Sequence, residues 1–125
     1  MKRLYVAVFF LVFAIGLCIF EQYTVESAYR ETNEIIDTAM KYLDDEDFEK
    51  SAEECKKLDT YWNEKYPYLT AMIEHGSLDD AKMTISSLEE LAKNESDELE
   101  SELIMAKNQI KSIRDNQKIT FGNVF

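Results

Sequence analysis

The segment Leu4–Phe20 (LYVAVFFLVFAIGLCIF) contains no charged residue, and it limits what the rest of the chain can become. Its 17 residues would span ~25 Å as a helix rising ~1.5 Å per residue, the short end of what crosses a hydrocarbon core. Lys2 and Arg3 precede it and Glu21 closes it. Tyr5 and Tyr23 sit near its ends, where amphipathic rings favour the membrane–water interface. Basic residues on the N-terminal flank favour a cytoplasmic N-terminus. The segment is therefore expected to be a single-pass signal-anchor in the cell membrane (residues 1–21), touching the bilayer through Leu4–Phe20, with everything from Gln22 outside. A cleavable signal peptide is the competing reading, with Val25-Glu26-Ser27 before Ala28 as the cleavage site. The run is longer than the ~7–15 apolar residues such a peptide needs. Lipidation at Cys18 is disfavoured by Leu17, which stands where that chemistry wants a small residue.

The remaining ~100 residues suffice for one small domain. The chain holds 14 Lys and Arg against 25 Asp and Glu, and every acid lies at or after Glu21. Setting Lys2 and Arg3 aside leaves 12 basic against 25 acidic side chains, a formal charge of −13 on the outer part. Such a domain is repelled by nucleic acid, so no nucleic-acid partner is expected. With 3 Gly and 1 Pro, the chain lacks the turn residues of a sandwich or barrel and reads as all-α. Cys18 lies in the apolar run and cannot easily meet Cys55, so no disulfide framework is expected. One histidine excludes a ferritin-like di-iron site and leaves almost nothing for zinc. No metal and no cofactor are expected.

Apolar residues then recur at helical spacing. Val25, Ala28, Ile35 or Ile36, Ala39 and Tyr42 or Leu43 form a first stripe, and no breaker separates Phe20 from Val25. The anchor is thus expected to continue as the first helix of the domain. Asp44-Asp45-Glu46-Asp47 lacks the glycine and distal glutamate of a calcium loop and reads instead as a turn, with Asp45 or Asp47 as N-cap. Phe48, Ala52, Cys55, Leu58, Trp62, Tyr66, Leu69 and Ile73 keep phase through Pro67, predicting one long helix over Asp47–His75 kinked at Pro67, or two helices split there. Gly76 would close it in the left-handed conformation and Ser77 would cap a third helix over Leu78–Lys93. Asn94 would be the left-handed residue ending that helix, and Ser96 the cap of a fourth over Asp97–Asn116. A break between these two is favoured over one continuous helix. The expected architecture is a membrane helix followed by an antiparallel bundle of three to four helices over 22–116, with an apolar C-terminal tail at 117–125.

Trp62, Leu69, His75 followed by Leu78 and Ile85, then Leu103, Ile110 and Ile113, and finally Asn123-Val124-Phe125, together resemble the domain of unknown function 4363 family. That family consists of small single-pass proteins of Gram-positive bacteria with no established activity. The resemblance covers nearly the whole chain. It implies the architecture and a bacterial setting, offers no mechanism, and marks Trp62, His75 and Asn123 for testing.

Residues that carry chemistry are few. There is no phosphate loop, nucleophile elbow or metalloprotease motif, and adjacent acids such as Glu53-Glu54 lie on different parts of a helix surface, so an enzyme is not expected. His75 would bond the last carbonyls of its helix, or serve as a pH sensor with Glu74 beside it. Tyr61, Trp62, Tyr66 and Tyr68 surround Pro67, either as core or as a groove for a partner. The expected role is an extracytoplasmic helical interaction module binding another membrane or envelope protein. Its candidate contact residues are Tyr61, Trp62, Tyr66, Tyr68, His75, Asn123 and Phe125, and a homo-oligomer is allowed. The alternative role is a pH- or cation-responsive sensor using the acidic surface and His75.

Overall fold

The computed structural model describes residues 1–71, 73 and 75–124, with side chains at 1–71, 73 and 76–116. Four helices follow one another: α1 Lys2–Asp44, α2 Phe48–Thr70, α3 His75–Lys93 and α4 Leu99–Val124. Each packs on two others, α1 and α3 both lying against α2 and α4, which is the arrangement of a four-helix bundle. Neighbours are antiparallel. Ser51 Oγ donates to the Ala39 carbonyl and Trp62 Nε1 to Thr32 Oγ1, so α2 descends as α1 rises. Lys107 Nζ reaches Asp37 Oδ1 at 2.7 Å and the Arg114 guanidinium lies 3.9 Å from the Tyr29 ring, so α4 descends against α1 as well.

The expectation of one unbroken first helix holds. α1 runs for 43 residues, and its most apolar stretch has a mean hydropathy of 2.5 with none of it buried in the bundle. That stretch is long and apolar enough to cross a membrane. Burial begins at Val25 and continues through Ala28, Thr32, Ile35, Ile36 and Ala39. The helix before Phe20, which begins to line a groove with α2, therefore projects from the bundle by roughly 25 Å.

The inward stripes form one core. Leu58, Trp62, Leu78, Ile85, Leu88, Leu99 and Leu103 are fully buried, and each such side chain contributes about 1.5–3 kcal/mol relative to exposure. Thr32 and Ser51 are buried too, and each spends its polar atom on a bond across α1 and α2.

Two turns at the end of the bundle far from the apolar run are built alike. At the first, Glu46 N–H donates to Leu43 and Asp47 N–H to the Tyr42 carbonyl. At the second, Glu95 N–H donates to Ala92 and Ser96 N–H to the Leu91 carbonyl. These are paired Schellman bonds that satisfy the last carbonyls of α1 and α3. Asp47 then caps α2, its Oδ1 accepting from Lys50 N–H, while Ser96 Oγ accepts from Glu98 N–H in the turn just before α4, which begins at Leu99 rather than Asp97. The acidic cluster 44–47 is thus a turn and a cap, as the sequence suggested.

Several helix ends differ from expectation. The left-handed residue after α3 is Glu95 at φ 52°, not Asn94. The hydrogen-bond ladder of α3 runs to Asn94 N–H, which places the reversal one residue later. α2 ends at Thr70 rather than His75. Pro67 lacks the N–H that would bind the carbonyl four residues back, so the last turn is weakened near where the chain must reverse between buried Leu69 and Leu78. Gly76 and Ser77 consequently lie inside the first turn of α3, no glycine among the described residues has a positive φ, and neither residue performs the capping role expected of it. α4 continues as helix past Asn116 to Val124.

Glu46 (φ 58°) and Glu95 occupy a conformation that costs a side-chain-bearing residue about 1–2 kcal/mol. Glu46→Gly and Glu95→Gly should each stabilise the bundle by roughly 0.5–1 kcal/mol after the added chain entropy of glycine is subtracted. Urea unfolding of the full chain in detergent checks this, and Glu46→Ala and Glu95→Ala should not share the gain.

Candidate functional site

The aromatic residues around Pro67 do not form one patch. Trp62 is completely buried and its indole N–H donates to Thr32 Oγ1 at 3.0 Å, which places it in the core. Tyr66 turns toward α3, where its hydroxyl donates to Asp79 Oδ1 and Lys82 Nζ lies 4.1 Å from its ring. The bond to Asp79, ahead of desolvation and the Asp79 charge, raises the Tyr66 hydroxyl above its ordinary range. Tyr61 and Tyr68, seven residues apart and hence on one side of α2, face α1. With Phe20, Tyr23, Lys65 and Leu69 they line a groove of about 270 Å³ beside the point where α1 leaves its apolar run. Burial, then the nearby Glu31, raise the Tyr61 hydroxyl, with Arg30 opposing.

His75 opens α3 rather than closing α2. The C-terminal capping role is therefore corrected by its backbone position: it stands at the positive end of a helix. The His75 and Asn123 side chains and Phe125 lie outside the described residues. So do the side chains of the expected tail at 117–125, whose backbone through Val124 belongs to α4.

A surface that the stripes did not single out lies on the outer side of α4. Ile104 and Met105 are 42% and 47% exposed and share a shallow groove with Ser101, Asn108, Gln109 and Ser112. Gln109 Oε1 has no hydrogen-bond partner. Beyond Met1, the apolar run and Tyr23, the exposed large apolar side chains among the described residues are Tyr68, Met83, Ile104 and Met105. Two of the four are thus neighbours on this one face. The signal was present in the sequence, because Ile104 and Met105 fall outside the inward stripe of Leu99, Leu103, Ala106, Ile110 and Ile113.

Chemistry of a catalytic kind is sparse among the described residues. No three His, Cys, Asp or Glu side chains converge as metal ligands there. Cys55 is fully buried, and burial, then the Glu89 and Glu54 charges, push its thiol from an ordinary 9.0 up to about 12 against the opposing bond from Ser51. A thiol so held is a small core hydrophobe and a poor nucleophile.

Two outcomes follow for the core. Thr32→Val should cost about 1–3 kcal/mol by stranding the Trp62 N–H. Thr32→Val with Trp62→Phe should cost less than the sum of the two single changes, read as a double-mutant cycle from urea melts. In a Cys18→Ser background, Cys55 should resist maleimide at pH 8 and react only once denaturant unfolds the bundle.

Comparison with known proteins yields one result. No curated protein and no solved structure matches the chain. Residues 19–124, from the end of the apolar run through the whole bundle, match the family described as Domain of unknown function (DUF4363), and the chain belongs to that family.

Proposed function

We propose that this protein is a membrane-anchored interaction module. Its anchor crosses the cell membrane once with the N-terminus in the cytoplasm, and its extracytoplasmic bundle binds another membrane or envelope protein through the outer face of α4. The observation that carries this reading is the exposed pair Ile104–Met105 on a helix flank that also bears Ser101, Asn108 and Ser112. Small polar residues between apolar ones let a second helix approach closely, and an apolar helix face is a common way to receive a partner helix. Lys2 and Arg3 before the run, and the acids after it, support the orientation. Binding rather than turnover is the role proposed, because what the described part of this face presents is apolar and small polar side chains.

A photo-crosslinking residue at Ile104, in the full chain in native membranes, should give a discrete protein adduct that the same residue at exposed Lys56 does not give. Ile104→Asp should lower co-purification of that partner at least fivefold without changing the melting temperature. Only monomer at Ile104, in several growth states, would sink the reading. An adduct of twice the chain mass would make the partner a second copy.

A further inference from the structure

The groove between α1 and α2 lies where the apolar run meets the bundle, and its lining differs from the rest of the domain. Phe20 is the last residue of the run, and it lines the groove with Tyr23, Tyr61 and Tyr68 beside the small polar Thr24 and Ser27, so the aromatic rings carry apolar surface from the end of the run onto the bundle. Tyr23 and Tyr68 are exposed, Tyr68 to 62%. In an outer region of charge −13, no carboxylate lines the groove among the described residues; Glu21 and Glu64, adjacent in sequence to its residues, do not line it. Among the described residues its one charged lining residue is the cation Lys65. Tyrosines at the end of an apolar span, with a lysine able to reach a phosphate, are the composition of a membrane–water interface.

We infer that this groove is a seat for a phospholipid of the bilayer that α1 crosses. The upper acyl chain lies against Phe20 and the Tyr68 ring, the ester region beside the Tyr23 and Tyr61 hydroxyls, and the phosphate near Lys65. The occupant is a lipid rather than a peptide because the groove is continuous with the membrane-spanning face of the same helix and opens at the interfacial level. The inference rests on the proposed membrane anchoring and is independent of the α4 face. It would hold the bundle down on the bilayer, adding a second point of attachment beside the helix itself.

The test uses the full chain in phosphatidylcholine–phosphatidylglycerol vesicles whose acyl chains carry bromine at carbons six and seven. Trp62 is the chain's only tryptophan, so the parent protein supplies the background. Fluorescence added by Tyr68→Trp should fall at least twofold relative to unbrominated vesicles, while that added by Tyr42→Trp, at the far end of the bundle, should not. Placing acids in the groove with Tyr61→Glu and Lys65→Glu should remove at least half of the Tyr68→Trp quenching, in a protein whose circular dichroism and melting temperature match the parent. Quenching at position 68 no greater than at 42, or quenching indifferent to the two acids, overturns the seat. Loss of the protein from the vesicles on alkaline carbonate washing overturns the anchor itself, a distinguishable failure.

Discussion

Every level in this molecule is set by one uninterrupted helix. α1 passes from an apolar run into a packed helix with no proline between and its one glycine, Gly16, inside the run, so no loose joint separates the exposed apolar run from the part packed in the bundle. The other helices take their height from α1. The bonds from Trp62 to Thr32 and from Ser51 to Ala39 are buried, so sliding α2 by a turn would strand polar atoms in the core. Arg114 over Tyr29 and Lys107 at Asp37 fix α4 the same way, though as exposed or half-exposed contacts they hold less tightly. Because α4 descends past Arg114 to Val124, another ~15 Å of helix brings its end to about the level where α1 leaves its apolar run.

The two ends of the bundle are consequently different in kind. The far end holds the two matched turns, where Asp47 caps α2 and Ser96 accepts from Glu98 N–H just before α4, surrounded by acids that stay hydrated. The near end holds the α2–α3 reversal, the tyrosine groove and the end of α4. Accepting glutamate rather than glycine in the left-handed positions weakens the far end slightly, and leaves two more negative charges there. Charge of that sign on the far end also favours keeping it away from an anionic membrane surface.

Most of the fold was legible in the residues because its signal is periodic. The stripe Phe48, Ala52, Cys55, Leu58, Trp62, Tyr66, Leu69, Ile73 packs on or within the core throughout, and the continuity of α1 was readable from the absence of breakers. Helix ends were not, since several residues compete for each. Asn94 is the better left-handed residue, yet the ladder of α3 reaches one residue further and gives the position to Glu95. Gly76 looked like a terminator, but the reversal had already occurred after Thr70. The site was legible in part. The seven-residue spacing of Tyr61 and Tyr68 puts them on one side of α2, but joining them to Tyr23 and Phe20 requires the α1–α2 register, which the sequence carries only in the buried Thr32–Trp62 and Ala39–Ser51 pairs. Those pairs join residues 30 and 12 apart, and no local pattern marks them.

That register also separates two roles that the cluster around Pro67 had merged. Trp62, the residue most suited by size to anchor a partner, is used up in holding α1 against α2. The exposed apolar side chains that remain are divided by height: tyrosines at the near end, where the apolar run emerges, and Ile104 with Met105 on the flank of α4. Seven residues separate Met105 from Ser112 along that flank, and by the register of Lys107 at Asp37 the patch stands opposite the middle of the packed part of α1. If α1 crosses the bilayer, a partner meeting that flank must itself stand up from the membrane by roughly 20–30 Å. A helix projecting from a neighbouring span meets that requirement in the same way that α1 does, and its approach along the membrane plane leaves the groove at the base undisturbed.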